Sequence, residues 1–367
     1  MNIVILGLSL SSSWGNGHAT TYRALIEALH ARGHRVTFLE RDVPWYASAR
    51  DLDRSPHCDL RFYGSLDDLR GMRPALEAAD AVILGSYVPD GVEVAEHALA
   101  VARGPVAFYD IDTPVTLRKL ESGDYEYLTP ALVPRFDLYL SFSGGAALEA
   151  LVERWGARLA RPLYCGVDTK LYHPTGQEKR WDLGYLGTYS ADRQPTLERL
   201  LLEPARLLPE RRFVVAGPQY PMNIDWPANV ERIEHVPPGR HAAFYGSLRF
   251  ALNVTRSAMI EAGHSPSVRL FEAAACGVPI LTDPWTGIED FFLPGPELLV
   301  VDDAATVVAI LATMEDHRAR AMGEAGRQRV LRDHTAMRRA EELERSLAMA
   351  ERAGEAGRKA PAMATGG

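Results

Sequence analysis

Residues 265–283 read SPSVRLFEAAACGVPILTD, and they pass from a helical pattern into a short apolar strand. Pro266 suits the first position of a helix, where its missing N–H costs nothing, and Ser265 before it is a capping type. The spacing therefore predicts a helix beginning at Pro266, a tight turn at Gly277 and a buried strand VPILTD. At helical pitch Ser265, Arg269, Glu272 and Cys276 fall on one stripe, while Leu270, Phe271, Ala274 and Ala275 share the face that packs inward. Two charges in an otherwise oily helix can form an i,i+3 pair worth about 0.2–0.5 kcal/mol. They also fit an anion site. Free amides at a helix start, with Ser267 in the same turn and Arg269 one turn along, attract phosphate, and the Glu272 carboxylate further on can accept ribose hydroxyls. That order matches a nucleoside diphosphate. Thr286 and Gly287 precede what reads as another helix start, so two N-termini are expected to converge on one place.

Working outward, the same alternation of apolar runs and helical patterns fills the chain. NIVILGL, RVTFLE, AVILGSY, PVAFYD and DLYLSF read as buried parallel strands in the first half. DLGYLGTY, RRFVVAG, VERIEHV, RFALNV, VPILTD and LLVVDD repeat the pattern in the second. The fold class is α/β, with two Rossmann-like domains expected to face a central cleft. Between the series lies YCGVDTKLYHPTGQEKR, where Gly, Pro and charges replace apolar periodicity. We expect a first domain over 1–165, a linker over 166–180, a second domain over 181–335, a C-terminal helix over 336–353 and a disordered tail over 354–367. The first helix is expected from His18 to Arg32, with Leu25, Ile26 and Leu29 inward and Gly33 as its terminator.

The 367 residues suit two domains. A net charge of -8 argues against general nucleic-acid binding, which needs clustered Lys and Arg. Three cysteines, Cys58, Cys165 and Cys276, fit a reducing compartment better than a disulfide framework, so a cytoplasmic location is expected. No run of about 18 apolar residues occurs, so no membrane-spanning helix is expected, and peripheral membrane contact stays open.

In the first domain SSSWGNGHATTYRAL joins the first strand to the first helix. Gly15 and Gly17 let the backbone pass close to a ligand, and Asn16 and His18 lie at the helix start. A dinucleotide enzyme would want G-x-G-x-x-G directly after the strand, whereas GLSLSS offers only Gly7. VAFYDIDTPVTL ends a strand with Asp110 and Asp112, which point to opposite faces if the strand continues. Asp112, nearer the loop, is the choice for the ligand side, with turn capping as the alternative. Gly144, in SFSGGAALEAL, lies before a further helix and can line the same cleft. Trp45 and Tyr46 can stack on a ligand or pack locally.

GNGHATTYRALIEALHARGHRVTFLE, YCGVDTKLYHP and SPSVRLFEAAACGVPILTD together resemble the glycosyltransferases of the GT-B fold, over most of the chain. PSVRLFEAAACG with DLGYLGTYSADRQ looks most like the CgeB-like, spore-maturation group. The resemblance implies a sugar transferred from a nucleoside-diphosphate sugar to an acceptor that these residues do not specify. Glu272 matches the second glutamate of the E-x7-E donor motif of retaining members, the one on the donor ribose. His264 stands where the first glutamate belongs, which makes retention of configuration less secure. Arg193 falls where many members place a basic residue on the diphosphate, beside Gly187. The resemblance places His18 near the scissile bond, where with Asp112 it can handle the acceptor proton or sugar hydroxyls. It implies no cofactor and no metal, the diphosphate being met by helix dipoles and basic side chains. The D-I-D triplet carries the competing metal reading. The rival functions are a sugar-nucleotide epimerase or hydrolase of the same fold, and a non-catalytic nucleotide-binding scaffold.

Overall fold

The computed structural model describes residues 1–14 and 17–359. They divide into two compact units, Met1–Cys165 together with the chain from Ala336 onward, and Gly166–Thr335.

The first unit is built on seven strands: β1 (Asn2–Gly7), β2 (Arg35–Arg41), β3 (Asp59–Tyr63), β4 (Ala81–Gly85), β5 (Val106–Asp110), β6 (Leu138–Ser141) and β7 (Ala160–Pro162). All pair in parallel in the order β3-β2-β1-β4-β5-β6-β7. Unbroken Val, Ile, Leu and Phe runs are what strands covered on both faces require. One core takes Leu6, Val82, Leu84 and Phe108; the other takes Ile3, Ile5, Ile83 and Tyr109. β3 and β7 escape a reading of the sequence because they are edge strands. β3 alternates Asp59 and Arg61 with its apolar residues, and β7 has only three residues.

The first helix, His18–Ala31, buries Tyr22, Leu25, Ile26 and Leu29, and Gly33 follows at a φ of +86°. The last helix, Ala336–Lys359, returns to this unit. Ala336, Ala340, Leu343, Leu347 and Ala350 enter the core that holds Leu25 and Leu29, a spacing of four and three that keeps one stripe inward. Arg32 forks onto Glu344 at 2.6 and 2.8 Å, and His34 Nε2 lies 2.7 Å from the same carboxylate. The helix passes through Gly354 without the break expected there, because extending a nucleated helix costs little per residue. The remainder of the expected tail, 360–367, lies outside the described residues.

The second unit carries β8 (Trp181–Leu186), β9 (Phe213–Ala216), β10 (Val230–Ile233), β11 (Leu248–Asn253), β12 (Ile280–Thr282) and β13 (Leu299–Val300). These are also parallel, in the order β10-β9-β8-β11-β12-β13. Residues 166–180 belong to this unit, where Val167 donates its N–H to the His334 carbonyl at 3.0 Å. In both sheets the strand order reverses beside the first strand, between β1 and β4 and between β8 and β11. Open parallel sheets take ligands beyond the carboxyl ends of such strands. No described helix is long and apolar enough to cross a membrane.

Candidate functional site

In the second unit the helix of the opening stretch spans Val268–Ala275. Its cap is Ser267, whose hydroxyl accepts from the Arg269 N–H at 3.3 Å, and not Ser265. Ser267 has the extended backbone of a cap residue (φ -71°, ψ 139°), so the helix starts after it and Pro266 lies before the cap rather than in the first turn. Ser265 is buried upstream of it. Leu270, Phe271, Ala274 and Ala275 face the core as expected, and Glu272 is buried with them at 5% exposure. The Glu272 Oε2 has no hydrogen-bond partner; Arg269 Nε, the nearest cation, is 3.8 Å away. Burial pushes the Glu272 carboxyl above its ordinary range, opposed by Arg269, with the phenols of Tyr172 and Tyr245 nearby but outside hydrogen-bond reach of Oε2.

Those two tyrosines were not among the residues singled out from the sequence. Tyr172 belongs to GVDTKLYHP, read as a boundary and as part of the family resemblance, and its hydroxyl lies 3.1 Å from His241 Nδ1; His241 Nε2 lies 3.0 Å from the Val236 carbonyl. A carbonyl can only accept, so Nε2 carries the proton and Nδ1 accepts from Tyr172 in the neutral ring. Burial holds that ring neutral, with its pKa lowered to about 4. The Tyr245 hydroxyl is buried with no hydrogen-bond partner. Glu272 and Tyr245 are thus two buried polar groups with unused capacity.

At the end of β8, Arg269 Nη1 donates to the Leu186 carbonyl at 3.4 Å and Arg193 Nη2 to the Thr188 carbonyl at 2.7 Å. The two guanidinium groups therefore flank Gly187. A methyl on Gly187 would meet the Tyr185 hydroxyl at 2.4 Å, a local reason for glycine there. His264 stands apart from this group. It has a left-handed φ of 44°, its N–H donates to the Thr286 carbonyl at 2.6 Å, and its Nδ1 lies 2.6 Å from Asp290 Oδ2. A methyl on Gly287, at a φ of +89°, would strike the His264 ring, so Thr286 and Gly287 shape the histidine's seat. The helix start expected after them is only one 3-10 turn, Ile288–Asp290, because Pro294 and the left-handed Gly295 follow within a few residues and leave too little chain to propagate.

In the first unit, Gly15 and Asn16 lie outside the described residues. Gly17 precedes the helix with open space around it. His18, its first residue, has a buried Nδ1 with no hydrogen-bond partner, and burial lowers its pKa to about 4. Its ring meets Tyr87 edge to face at 5.6 Å, and the Tyr87 hydroxyl donates to Asp112 Oδ2 at 3.5 Å. His18 and Asp112 are thus gathered at one place, through a tyrosine sequence reasoning missed. The signal was present in AVILGSY, an aromatic just past a buried strand. Asp110 is fully buried and accepts from Thr116 Oγ1 at 2.7 Å and Tyr139 at 2.7 Å, so only Asp112 of the pair keeps partial exposure. Asp112 occupies the cap position of Thr113–Ser122 without a side-chain cap bond. Gly144 is buried before the helix Ala146–Glu153. Trp45 is exposed and Tyr46 buried.

Glu40 is another residue the sequence reading passed over. Register places it opposite Gly7, and its buried carboxylate accepts from Leu10 N at 2.7 Å, Ser11 N at 2.9 Å, Ser11 Oγ at 2.6 Å and Ser9 Oγ at 3.1 Å. It fastens the loop that leads to His18. A charge at the end of RVTFLE was the available clue.

The arrangement after β8, β11 and in the capped helix coincides with what a family model recognises: residues 193–345 match Glycosyl transferase-like. The matched segment holds Arg193, Arg269 and Glu272. The match agrees with the enzyme class expected from the sequence, a glycosyltransferase. No protein of curated function matches the chain in sequence. Solved structures resemble it throughout. A sucrose-phosphate synthase from Thermosynechococcus elongatus has 17% identity and a TM-score of 0.69, covering 96% of this chain and 100% of its own. Anabaena HepE, in complex with UDP and glucose, has 14% identity and a TM-score of 0.70, covering 95% and 100%. An α-glucosyltransferase in complex with UDP and a 13-mer DNA has 13% identity and a TM-score of 0.69, covering 95% and 99%. The chain has the GT-B fold, as the resemblance implied.

Proposed function

We propose that the protein transfers a glycosyl group from a nucleoside-diphosphate sugar to a hydroxyl of an acceptor. The observation that carries this reading is Glu272, a buried carboxylate with an unused acceptor oxygen one turn from Arg269. A buried acceptor oxygen left without a partner costs about 1–3 kcal/mol. A ribose diol returning two hydroxyl donors would offset that cost.

In this reading the Ser267-capped helix start, Arg269 and Arg193 receive the diphosphate as the bond to the sugar carbon breaks. The new bond forms to the acceptor oxygen as a base takes its proton, a role for which the neutral His18 imidazole beside the Asp112 carboxylate is the candidate. Glu272 positions the donor and forms no bond. The relatives bound to UDP make a uridine nucleotide the first donor to try. Within the class we place the chain nearest the CgeB-like group, with Glu272 at the second position of the E-x7-E pattern and His264 at the first. The reading assigns no cofactor and no metal and places the protein in the cytoplasm; dependence of turnover on a divalent cation would count against it.

The test is thermal stabilisation of wild type and Glu272→Ala by a panel of nucleoside diphosphates, since ligand at 100 times its Kd adds about 2.7 kcal/mol. Stabilisation by one diphosphate, lost in the variant, supports the reading. A folded protein stabilised by none would remove the donor-site assignment, and stabilisation without turnover would leave the nucleotide-binding scaffold. Acceptor-independent release or epimerisation of the sugar would favour the epimerase or hydrolase.

A further inference from the structure

Tyr87 has a φ of +62°, a left-handed conformation that costs a bulky residue about 1–2 kcal/mol and persists only where its surroundings enforce it. It lies directly beyond β4, beside the reversal of strand order. Its ring is held from two sides, edge to face against His18 at 5.6 Å and tilted against Tyr127 at 4.7 Å. Its hydroxyl reaches Asp112 at 3.5 Å. Nothing in the chain between Gly85 and Asp90 needs a left-handed tyrosine for strand pairing, which ends at Gly85. What the conformation achieves is to put one side chain against both His18 and Asp112.

We propose that Tyr87 is a positioning residue of the first unit's site, aligning Asp112 through its hydroxyl and walling His18 from water with its ring. This rests on the glycosyl-transfer reading for its effect on rate, and on geometry alone for its effect on the imidazole. The groups that face the pair are Tyr22 on the histidine's own helix, Asp110 at the end of β5, and Tyr127, which bonds Thr116 at 2.8 Å. Lys119 lies over the Tyr127 ring at 5.8 Å but is bound to Asp124 and Glu126. Tyr22 is buried with its hydroxyl unpartnered, and Asp110 is enclosed by its own hydrogen bonds; Tyr87 touches both His18 and Asp112.

Two variants test it in the full chain. Tyr87→Phe keeps ring and backbone and removes only the hydroxyl. It is expected to leave nucleoside-diphosphate stabilisation and donor KM unchanged and to lower kcat about tenfold, of the order contributed by an aligned acid–base group. The acidic limb of its pH profile should move to higher pH, because Asp112 loses a donor that favours its ionised form. Tyr87→Ala removes the wall. NMR titration should show the His18 imidazole neutral to below pH 5 in wild type and Tyr87→Phe, and moved up toward 6.5 in Tyr87→Ala. Wild-type kcat and pH profile in Tyr87→Phe, or an unmoved imidazole in a folded Tyr87→Ala, would overturn the proposal. Failure of every nucleoside diphosphate to bind would instead strike the glycosyl-transfer reading, and the imidazole titration would still decide the role of Tyr87.

Discussion

Arg269 Nε and Glu272 Oε2 stand 3.8 Å apart on one helix, close enough for charge to be felt and too far for a hydrogen bond. The guanidinium instead donates to the Leu186 carbonyl, so the helix keeps two opposite charges in register without letting them consume one another. This answers why an oily helix retains them. The cation is committed to the end of β8 and the anion keeps an oxygen free.

Removing the cation should therefore hurt more than removing the anion. Arg269→Ala is expected to destabilise by about 1–3 kcal/mol, below the 3–5 kcal/mol of a fully enclosed pair because Arg269 keeps 34% exposure. Glu272→Gln should cost less than 1 kcal/mol, roughly the worth of one ordinary hydrogen bond. The double variant should fall well short of the sum. Urea unfolding of the four proteins gives the coupling energy, and additive effects would contradict the pairing.

The raised pKa of Glu272 sets a sign. A carboxyl whose folded pKa exceeds its unfolded value contributes stability that is complete below the unfolded pKa and is lost as pH rises through the folded one. Wild type without nucleotide should lose stability relative to Glu272→Gln on going from pH 4 toward neutrality. Saturating diphosphate, if it satisfies the carboxylate, should narrow that gap. Melting temperatures across pH, with and without UDP, check both.

Asp110 obeys the same sign in the first unit. Burial raises its carboxyl from 3.8 to about 6, so its contribution is complete below 3.8 and lost as pH rises through about 6. The loss is at most about 3 kcal/mol at 1.36 kcal/mol per pH unit. Asp110→Asn should flatten the stability profile between pH 4 and 6. A variant whose profile parallels wild type in that window would remove Asp110 as its source.

Glu40 makes the clearest structural prediction. Its four accepted hydrogen bonds all come from residues 9–11, and an amide in its place turns a donor toward backbone N–H groups. Glu40→Gln is expected to cost about 2–4 kcal/mol, the range for losing charged hydrogen bonds and leaving donors buried. Transfer should weaken as well, since the loop leads to His18. A urea midpoint within about 0.5 kcal/mol of wild type, the usual range for surface changes, would show that the loop stands without it.

Much of the architecture was legible because it is local. Runs such as NIVILG and AVILG announce strands covered on both faces, and Arg269 and Glu272 share a helix face through spacing alone. The exact cap was not, since Ser265 and Ser267 are both capping types, and what separates them is that the Ser267 hydroxyl meets the Arg269 N–H. Nor were Tyr87, Tyr172 and Glu40, whose partners come from other elements: Tyr87 from the first helix and the end of β5, Tyr172 from the helix that carries His241, Glu40 from the loop after β1. Periodicity says which side of an element is buried, but not which loops the strand order brings together.

The sequence by itself thus determined two α/β units, a glycosyl transferase-like pattern and the placing of one acid and one base on a buried helix face, because each follows from spacing within a few turns or one strand. Only the tertiary structure decided that the acid would be left with a free oxygen, that His18 and Asp112 would meet through a left-handed tyrosine, and that the last helix would return to the first unit. Those outcomes depend on which strands became neighbours, and that is settled by burying both faces of each sheet at once rather than by any local preference.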